Sequence, residues 1–252
     1  MTDAMQPPLQ QTFRSAEGDF RVGRVFNQTL SVLSRNLLPF CIVTGIAAIP
    51  YVFFFSTTTR APSPGAAGLV VLGVISGMVL NALSQAIILY GAFEDMRGRP
   101  VNLVDSIRVG LSRFFPVIGT ALLVGIFTML AGIALIIPAF IVMSMLFVSM
   151  PACVVERLGP VKSTGRSAQL TKGHRWKIFG LWFTVIIVGA IAQAAIGGLA
   201  RVIGGLVAAQ ITLLLWNAFF GAFSAILAVV TYRDLRVAKE GVDTDQIASV
   251  FD

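Results

Sequence analysis

Residues Phe114–Val155 read FFPVIGTALLVGIFTMLAGIALIIPAFIVMSMLFVSMPACVV, a run of 42 residues without Asp, Glu, Lys, Arg or His. An α-helix rises about 1.5 Å per residue and the hydrocarbon core of a bilayer is roughly 30 Å thick, so about 20 apolar residues make one crossing. The run is therefore too long for one membrane helix and long enough for two. Because proline ends or kinks a helix, we predict a turn near Ile137–Ala139.

Four more runs lack charged residues, and they lie on either side of this one: Leu37–Phe55, Ala61–Phe93, Ile178–Ala200 and Val202–Tyr232. Hydrophobic residues make up 56% of the chain and charged residues 12%, whereas an average soluble domain is roughly 25% charged. The sequence predicts an all-α polytopic membrane protein whose six transmembrane helices form three helical hairpins. We place the spans near residues 37–56, 67–93, 116–136, 138–155, 177–199 and 205–231.

The distribution of Lys and Arg predicts the orientation. The connections at 57–66, around Pro138 and at 200–204 contain only Arg60 and Arg201, whereas the other 17 of the 19 Lys and Arg lie in the N-terminal segment, 94–115, 156–177 and the C-terminal segment. Basic loops stay on the cytoplasmic side. We therefore expect a multi-pass protein of the bacterial cytoplasmic (inner) membrane with both termini in the cytoplasm.

An interfacial cytoplasmic helix is predicted before each hairpin. The first has apolar residues at spacings of three or four from Val22 to Leu37, the second has Asn102 as its N-cap, and the third begins at Gly159-Pro160 and stops near Gly173. Each ends in a Leu, a hydroxyl residue and a cation, as in Leu33-Ser34-Arg35. The two matching triplets are Leu111-Ser112-Arg113 and Leu170-Thr171-Lys172, which suggests an internal repeat.

The whole chain is accounted for by one domain. Residues 1–19 are expected to be a disordered lead, 20–241 the membrane domain, and 242–252 a C-terminal tail. The lead lacks the basic segment followed by an apolar one that marks a secretory signal, so we expect the first span to be retained.

The densest group of cations is Lys162, Arg166, Lys172, Arg175 and Lys177. One interpretation is that the helices bearing them form a structural collar around the hairpins. The other is that these cations bind anionic lipid headgroups, with Trp176 beside them as an interfacial anchor. Topology and attraction to headgroups explain the net charge of +7 better than nucleic acid does.

Apart from Lys177 at the first position of one span, the predicted spans contain amides and no Asp, Glu, Lys, Arg or His. This argues against a proton pump, because a proton relay needs such groups within the membrane. Two interpretations of the amides remain open. They form interhelical hydrogen bonds, or they line a polar cavity for transport. The candidates for such a cavity are Asn81, Gln85, Gln193, Gln210 and Asn217.

The sequence contains no recognisable catalytic or metal-binding pattern. His174 is the only histidine, and Cys41 and Cys153 are isolated within or at the end of apolar runs, so neither a Ser–His pair nor a zinc site is expected. No phosphate-binding loop or dinucleotide-binding glycine pattern occurs. We therefore expect no catalysis, no metal and no cofactor.

Three segments together resemble a known family: PACVVERLGP at 151–160, SAQLTKGHRWKIFG at 167–180 and YRDLRVAKEGVD at 232–243. They are similar to the membrane domain attached to some glycerophosphoryl diester phosphodiesterases, a family with stand-alone six-span prokaryotic members. Arg233 and Ala139 depart from the usual pattern, where an apolar residue and a glycine are common. The resemblance implies the six-span architecture over most of residues 20–245.

The family's name does not imply an activity for this chain. A phosphodiesterase barrel needs roughly 250 residues of its own, and the membrane domain uses all 252 residues here. We expect a non-catalytic membrane-embedded binding or scaffold module that contacts anionic lipid headgroups. A small permease or flippase-like transporter is the alternative. Under either interpretation, membrane lipids are the expected partners of the protein. A second copy of the chain or another membrane protein is a further candidate.

Overall fold

The computed structural model describes residues 20–60, 66–134 and 136–240, and within these ranges the chain forms α-helices and no strands. The all-α class predicted from the sequence is confirmed. The predicted lead at 1–19 and the predicted tail at 242–252 lie outside the described residues. The helices are α1 Val22–Arg35, α2 Leu37–Arg60, α3 Ala66–Met96, α4 Leu103–Ser112, α5 Phe114–Ala134, α6 Ile136–Leu146, α7 Ser149–Val155, α8 Pro160–Thr171 and α9 Arg175–Glu240.

Among the described residues, five segments are long and apolar enough to cross a membrane: Leu37–Phe54, Val71–Met96, Phe114–Ile133, Pro138–Val155 and Arg175–Glu240. Their outer faces are rich in exposed aliphatic side chains; Leu38, for example, is 74% exposed. Burying apolar surface is worth about 25 cal/mol per Å², so such a surface is unfavourable in water and suits lipid. The chain has the features of a multi-pass membrane protein, as predicted.

Helix α9 is too long to be one straight helix, because 66 residues would extend roughly 100 Å. At Gly205 the backbone has φ 68° and ψ −158°, a conformation that residues with a Cβ rarely adopt. The halves on either side lie against each other. A Cβ on Gly189 would stand only 2.4 Å from the ring of Phe220. The chain therefore folds back at Gly205, whereas the predicted connection at 200–204 is helical.

The predicted span 138–155 differs in two ways from the structure. Helix α6, Ile136–Leu146, includes residues 137–139, where a turn was predicted. The helix also stops at Leu146, and α7 begins at Ser149. Ser167 and Thr171 of α8 donate hydroxyl hydrogen bonds to the carbonyl of Met145, at 2.7 and 3.3 Å. The Met145 carbonyl therefore accepts hydrogen bonds from α8, although its own helix ends at Leu146.

The three predicted interfacial helices are α1, α4 and α8. The Asn102 side chain accepts hydrogen bonds from the backbone N–H groups of Val104 and Asp105, which confirms the predicted N-cap of α4. Pro160 is the first residue of α8, and Gly173, with φ 90°, follows its end. These helices end at or next to the three Leu–hydroxyl–cation triplets, and a long apolar segment follows each.

Helix α4 exposes its apolar face. Ser106 and Gly110 are buried against the bundle, while Val104, Ile107 and Leu111 are exposed. A helix on a water-soluble protein has the reverse arrangement. Helix α4 is therefore suited to lie at a lipid surface.

The centre of the bundle is the second half of α9, where every residue from Ala225 to Tyr232 is buried. Helix α9 contacts α1, α2 and α3. Near its end, Tyr232 contacts Glu156, which follows α7, and Glu240 contacts Arg166 of α8. We call the end of the bundle formed by α1, α4, α8 and the final residues of α3, α7 and α9 the charged end.

Candidate functional site

Three acids lie at or near the ends of α3, α7 and α9, and each is bound by an arginine of α1 or α8. Asp95 at the end of α3 contacts Arg35 of α1 at 2.6 Å, and Asp234 near the end of α9 contacts Arg24 of α1 at 2.9 Å. Glu156, after α7, contacts Arg166 of α8. Helices α1 and α8 are thus tied to the ends of α3, α7 and α9 by ion pairs as well as by packing.

The Glu156 carboxylate accepts three hydrogen bonds. Arg166 Nε donates to its two oxygens at 2.8 and 3.0 Å, and the Tyr232 hydroxyl donates to Oε1 at 2.6 Å. Arg166 also contacts Glu240, which accepts a bond from Arg236 Nε at 3.0 Å. Burial opposes the charge of Arg166, but the two carboxylates outweigh it and raise its pKa. This cluster, which we call the Glu156 clamp, joins α7, α8 and the end of α9.

The structure separates the five predicted headgroup cations into different environments. Arg166 belongs to the Glu156 clamp, and Lys177 Nζ donates to the Phe20 carbonyl at 3.3 Å. Lys162 and Lys172 are exposed and form no ion pair with a described residue. Arg175 is the first residue of α9 and is half-buried.

Arg175 borders an apolar cleft of about 390 Å³ between α6 and the start of α9. The Arg175 Nε atom is buried and makes no hydrogen bond with any residue that the structure describes. Aromatic rings form the walls, with the Phe140 and Phe179 centroids 5.2 Å apart and those of Trp176 and Phe179 6.0 Å apart. The cleft lining consists of Phe140, Ile141, Ser144, Arg175, Trp176 and Phe179.

Three of the five predicted cavity amides come together. Asn81 and Gln85 share a face of α3, and Gln85 Nε2 donates to Asn81 Oδ1 at 3.2 Å. Both line a cavity of about 430 Å³ with Asn217 of α9, and both also line a cavity of about 450 Å³ with Thr120 and Trp182. The Asn81–Gln85 face therefore lies where α2–α3, α5–α7 and α9 meet. We call this pair of cavities the amide crevice.

The other two amides lie elsewhere on α9. Gln193 lines a separate cavity of about 430 Å³ with Arg201 and Trp216, between the two halves of α9. Gln210 is partly buried on the second half, seven residues before Asn217, and the described lining of the amide crevice does not include it. The transporter alternative predicts one cavity lined by all five amides, and in the described lining three of them share the amide crevice.

Sequence reasoning missed Tyr232 as a partner of Glu156, and it missed Phe140 and Ser144 as walls of the Arg175 cleft. Only Phe140 and Ser144 could have been identified from the sequence. An aromatic and a hydroxyl residue four positions apart in an apolar helix, Phe140 and Ser144, share one face.

No group of three His, Cys, Asp or Glu that could hold a metal occurs within the described ranges.

The chain was compared with known proteins at three levels. It matches no protein-family model, no curated protein and no solved structure.

Proposed function

We propose that the protein is a six-span membrane protein whose charged end faces the bacterial cytoplasm. The fold-back of α9 at Gly205 supports counting this helix as two spans, which together with the other four candidate segments gives six. The pairs α2–α3, α5–α6 and the two halves of α9 would then be the three hairpins. The one-sided distribution of Lys and Arg favours cytoplasmic termini.

The function that the geometry supports best is a non-catalytic module that binds anionic lipids at the cytoplasmic surface. The observation behind it is the contrast in the charged end. The acids Asp95, Glu156 and Asp234 are each paired with an arginine, while Lys162 and Lys172, at opposite ends of α8, are exposed. Trp176 is exposed as well. Each such cation near a membrane contributes about 1 kcal/mol of attraction to anionic headgroups. Membership in the membrane-domain family is part of this proposal, supported by the three segments that resemble it.

The test is mass spectrometry of the lipids that the purified protein retains. Wild type is compared with a Lys162→Gln, Lys172→Gln variant, which leaves the Glu156 clamp intact. The control carries Arg99→Gln and Arg108→Gln, which remove the same number of exposed charges beside and within α4. We expect anionic lipids to be enriched in wild type and reduced at least twofold in the lysine variant, with a smaller reduction in the control. Absence of enrichment in wild type would refute lipid binding.

The amide crevice favours a second candidate function, a small permease or flippase-like transporter. Its amides lie where the three helix groups meet, which is where a path between them would run. The test is lipid or solute flux in proteoliposomes. An Asn81→Leu, Gln85→Leu variant should abolish flux, whereas Gln193→Leu, in a separate cavity, should preserve it. Equal flux in all three proteins would exclude the crevice as the path.

A further inference from the structure

The Arg175 cleft has the features of a site for one lipid molecule. We propose that it binds a single anionic phospholipid, with the phosphate on the Arg175 guanidinium and an acyl chain between Phe140 and Phe179. This inference rests on the proposed orientation and deepens the proposed lipid binding, because it assigns one specific site in place of general attraction to the surface.

The walls of the cleft select an apolar chain. Four of its six lining residues are aromatic or aliphatic, namely Phe140, Ile141, Trp176 and Phe179. The hydroxyl of Ser144 already donates to the carbonyl of Phe140 at 2.8 Å. A small hydrophilic anion would leave these walls uncovered, whereas an acyl chain would cover them.

The guanidinium selects an anionic head. Arg166 has its charge balanced by Glu156 and Glu240, but Arg175 Nε is buried without a hydrogen-bond acceptor among the described residues. No ion pair with a described residue balances the charge of Arg175, and the terminal N–H groups of its guanidinium would donate to a phosphate oxygen. Arginine presents its donors in a planar fork that matches a phosphate. Arg175 is also the first residue of α9, where the helix dipole favours a negative charge.

The position of the cleft gives access from the bilayer. Trp176 is 77% exposed and Ile141 is 42% exposed, so the mouth of the cleft is open on the outer surface of the bundle. Indole side chains prefer the headgroup level of a membrane. A phospholipid of the cytoplasmic leaflet could therefore enter sideways, and its phosphate would already lie near the level of Arg175.

The experiment uses the full chain in nanodiscs of phosphatidylcholine doped with phosphatidylglycerol that has a photoactivatable acyl chain. Crosslinked peptides are then located by mass spectrometry. We expect crosslinks within residues 140–144 and 176–183. Arg175→Gln should reduce them at least fivefold, and Ile141→Trp, which narrows the mouth and keeps the charge, should also reduce them. The Lys162→Gln, Lys172→Gln variant should retain them.

The outcomes separate this site from general lipid binding. Crosslinks that persist in both Arg175→Gln and Ile141→Trp would overturn the cleft as a site, even if the anionic lipids retained by the protein still depend on Lys162 and Lys172. Equal labelling by a photoactivatable phosphatidylcholine probe would show that the cleft does not select an anionic headgroup. Conversely, cleft labelling that depends on Arg175, without lysine-dependent enrichment of anionic lipids, would keep the site and refute the broader function.

Discussion

Arg35 and Asp95, sixty residues apart, join the last turn of α1 to the last turn of α3 through a hydrogen bond of 2.6 Å. Asn36 reinforces the contact by donating to the other Asp95 oxygen at 2.9 Å. The Asp95 side chain is only 12% exposed. This contact fixes the chain entering the first hairpin beside the chain leaving it.

Replacing Asp95 by Asn should destabilise the protein by about 1–2 kcal/mol, because hydrogen bonds to charged groups contribute more than neutral ones. The expected result is a lower midpoint of unfolding in detergent, measured by circular dichroism. Asp105→Asn is the matched control, since Asp105 is an exposed acid in the first turn of α4. If the unfolding midpoint falls by the same amount in both variants, the Arg35–Asp95 contact contributes little to stability.

Replacing Arg166 by Gln should lower the free energy of unfolding more than replacing an exposed arginine does. Glu156 would lose its charged partner while remaining largely buried, and we expect a loss of about 1–3 kcal/mol in the free energy of unfolding. Arg99→Gln should cost well under 1 kcal/mol, because the Arg99 side chain is 64% exposed and contacts Glu94 at 3.3 Å. Thermal unfolding in the same detergent measures both. The prediction fails if the two variants unfold at the same temperature.

Gly205→Ala should destabilise the fold by about 1–2 kcal/mol, since a Cβ disfavours positive φ. Gly198→Ala is the control. It lies within the first half of α9, where an added Cβ meets nothing within 4 Å, and it should stabilise the helix by up to about 1 kcal/mol. Opposite shifts in the unfolding midpoint are expected. Shifts of the same sign would show that the break at Gly205 does not require glycine.

Gly189→Ala should destabilise the protein because the new Cβ would stand 2.4 Å from the Phe220 ring. Overpacking of this kind costs about 1–3 kcal/mol. A second substitution, Phe220→Leu, should recover part of the loss, so the two changes should be non-additive in a double-mutant cycle. Strict additivity would mean that the two halves of α9 do not meet at this point.

The proposed orientation predicts which positions a membrane-impermeant maleimide can label in intact spheroplasts. In a background of Cys41→Ala and Cys153→Ala, a Val202→Cys variant should be labelled from outside, because Val202 is 85% exposed beside the fold-back. A Lys172→Cys variant should be labelled only after the membrane is permeabilised. Labelling of Lys172→Cys from outside, with Val202→Cys labelled only after permeabilisation, would show that the orientation is opposite to the proposed one.

The sequence was sufficient for the features that depend on local chemistry. Charge-free runs located the long helices, Asn102 marked the start of α4, and Gly159-Pro160 marked the start of α8. Pro138 was misleading because it lies within helix α6 and not in a turn between helices.

The candidate sites could be predicted only in part, because they depend on contacts between distant segments. Arg157 is next to Glu156 in sequence, but the partner is Arg166, since α8 packs against α7. The basic residues near Arg175 look equivalent in the sequence. Only the packing of α6 against α9 distinguishes Arg175, by placing Phe140 beside it.

The contact between Arg24 and Asp234 also constrains the order in which the molecule can be completed. Helix α1 is synthesised before α9, and Asp234 follows Arg24 by 210 residues. Chains are made at about 5–20 residues per second, so α1 waits at least about ten seconds for this partner. A ribosome that stops within α9 before residue 234 would release a chain that lacks the Arg24–Asp234 ion pair and retains the Arg35–Asp95 pair.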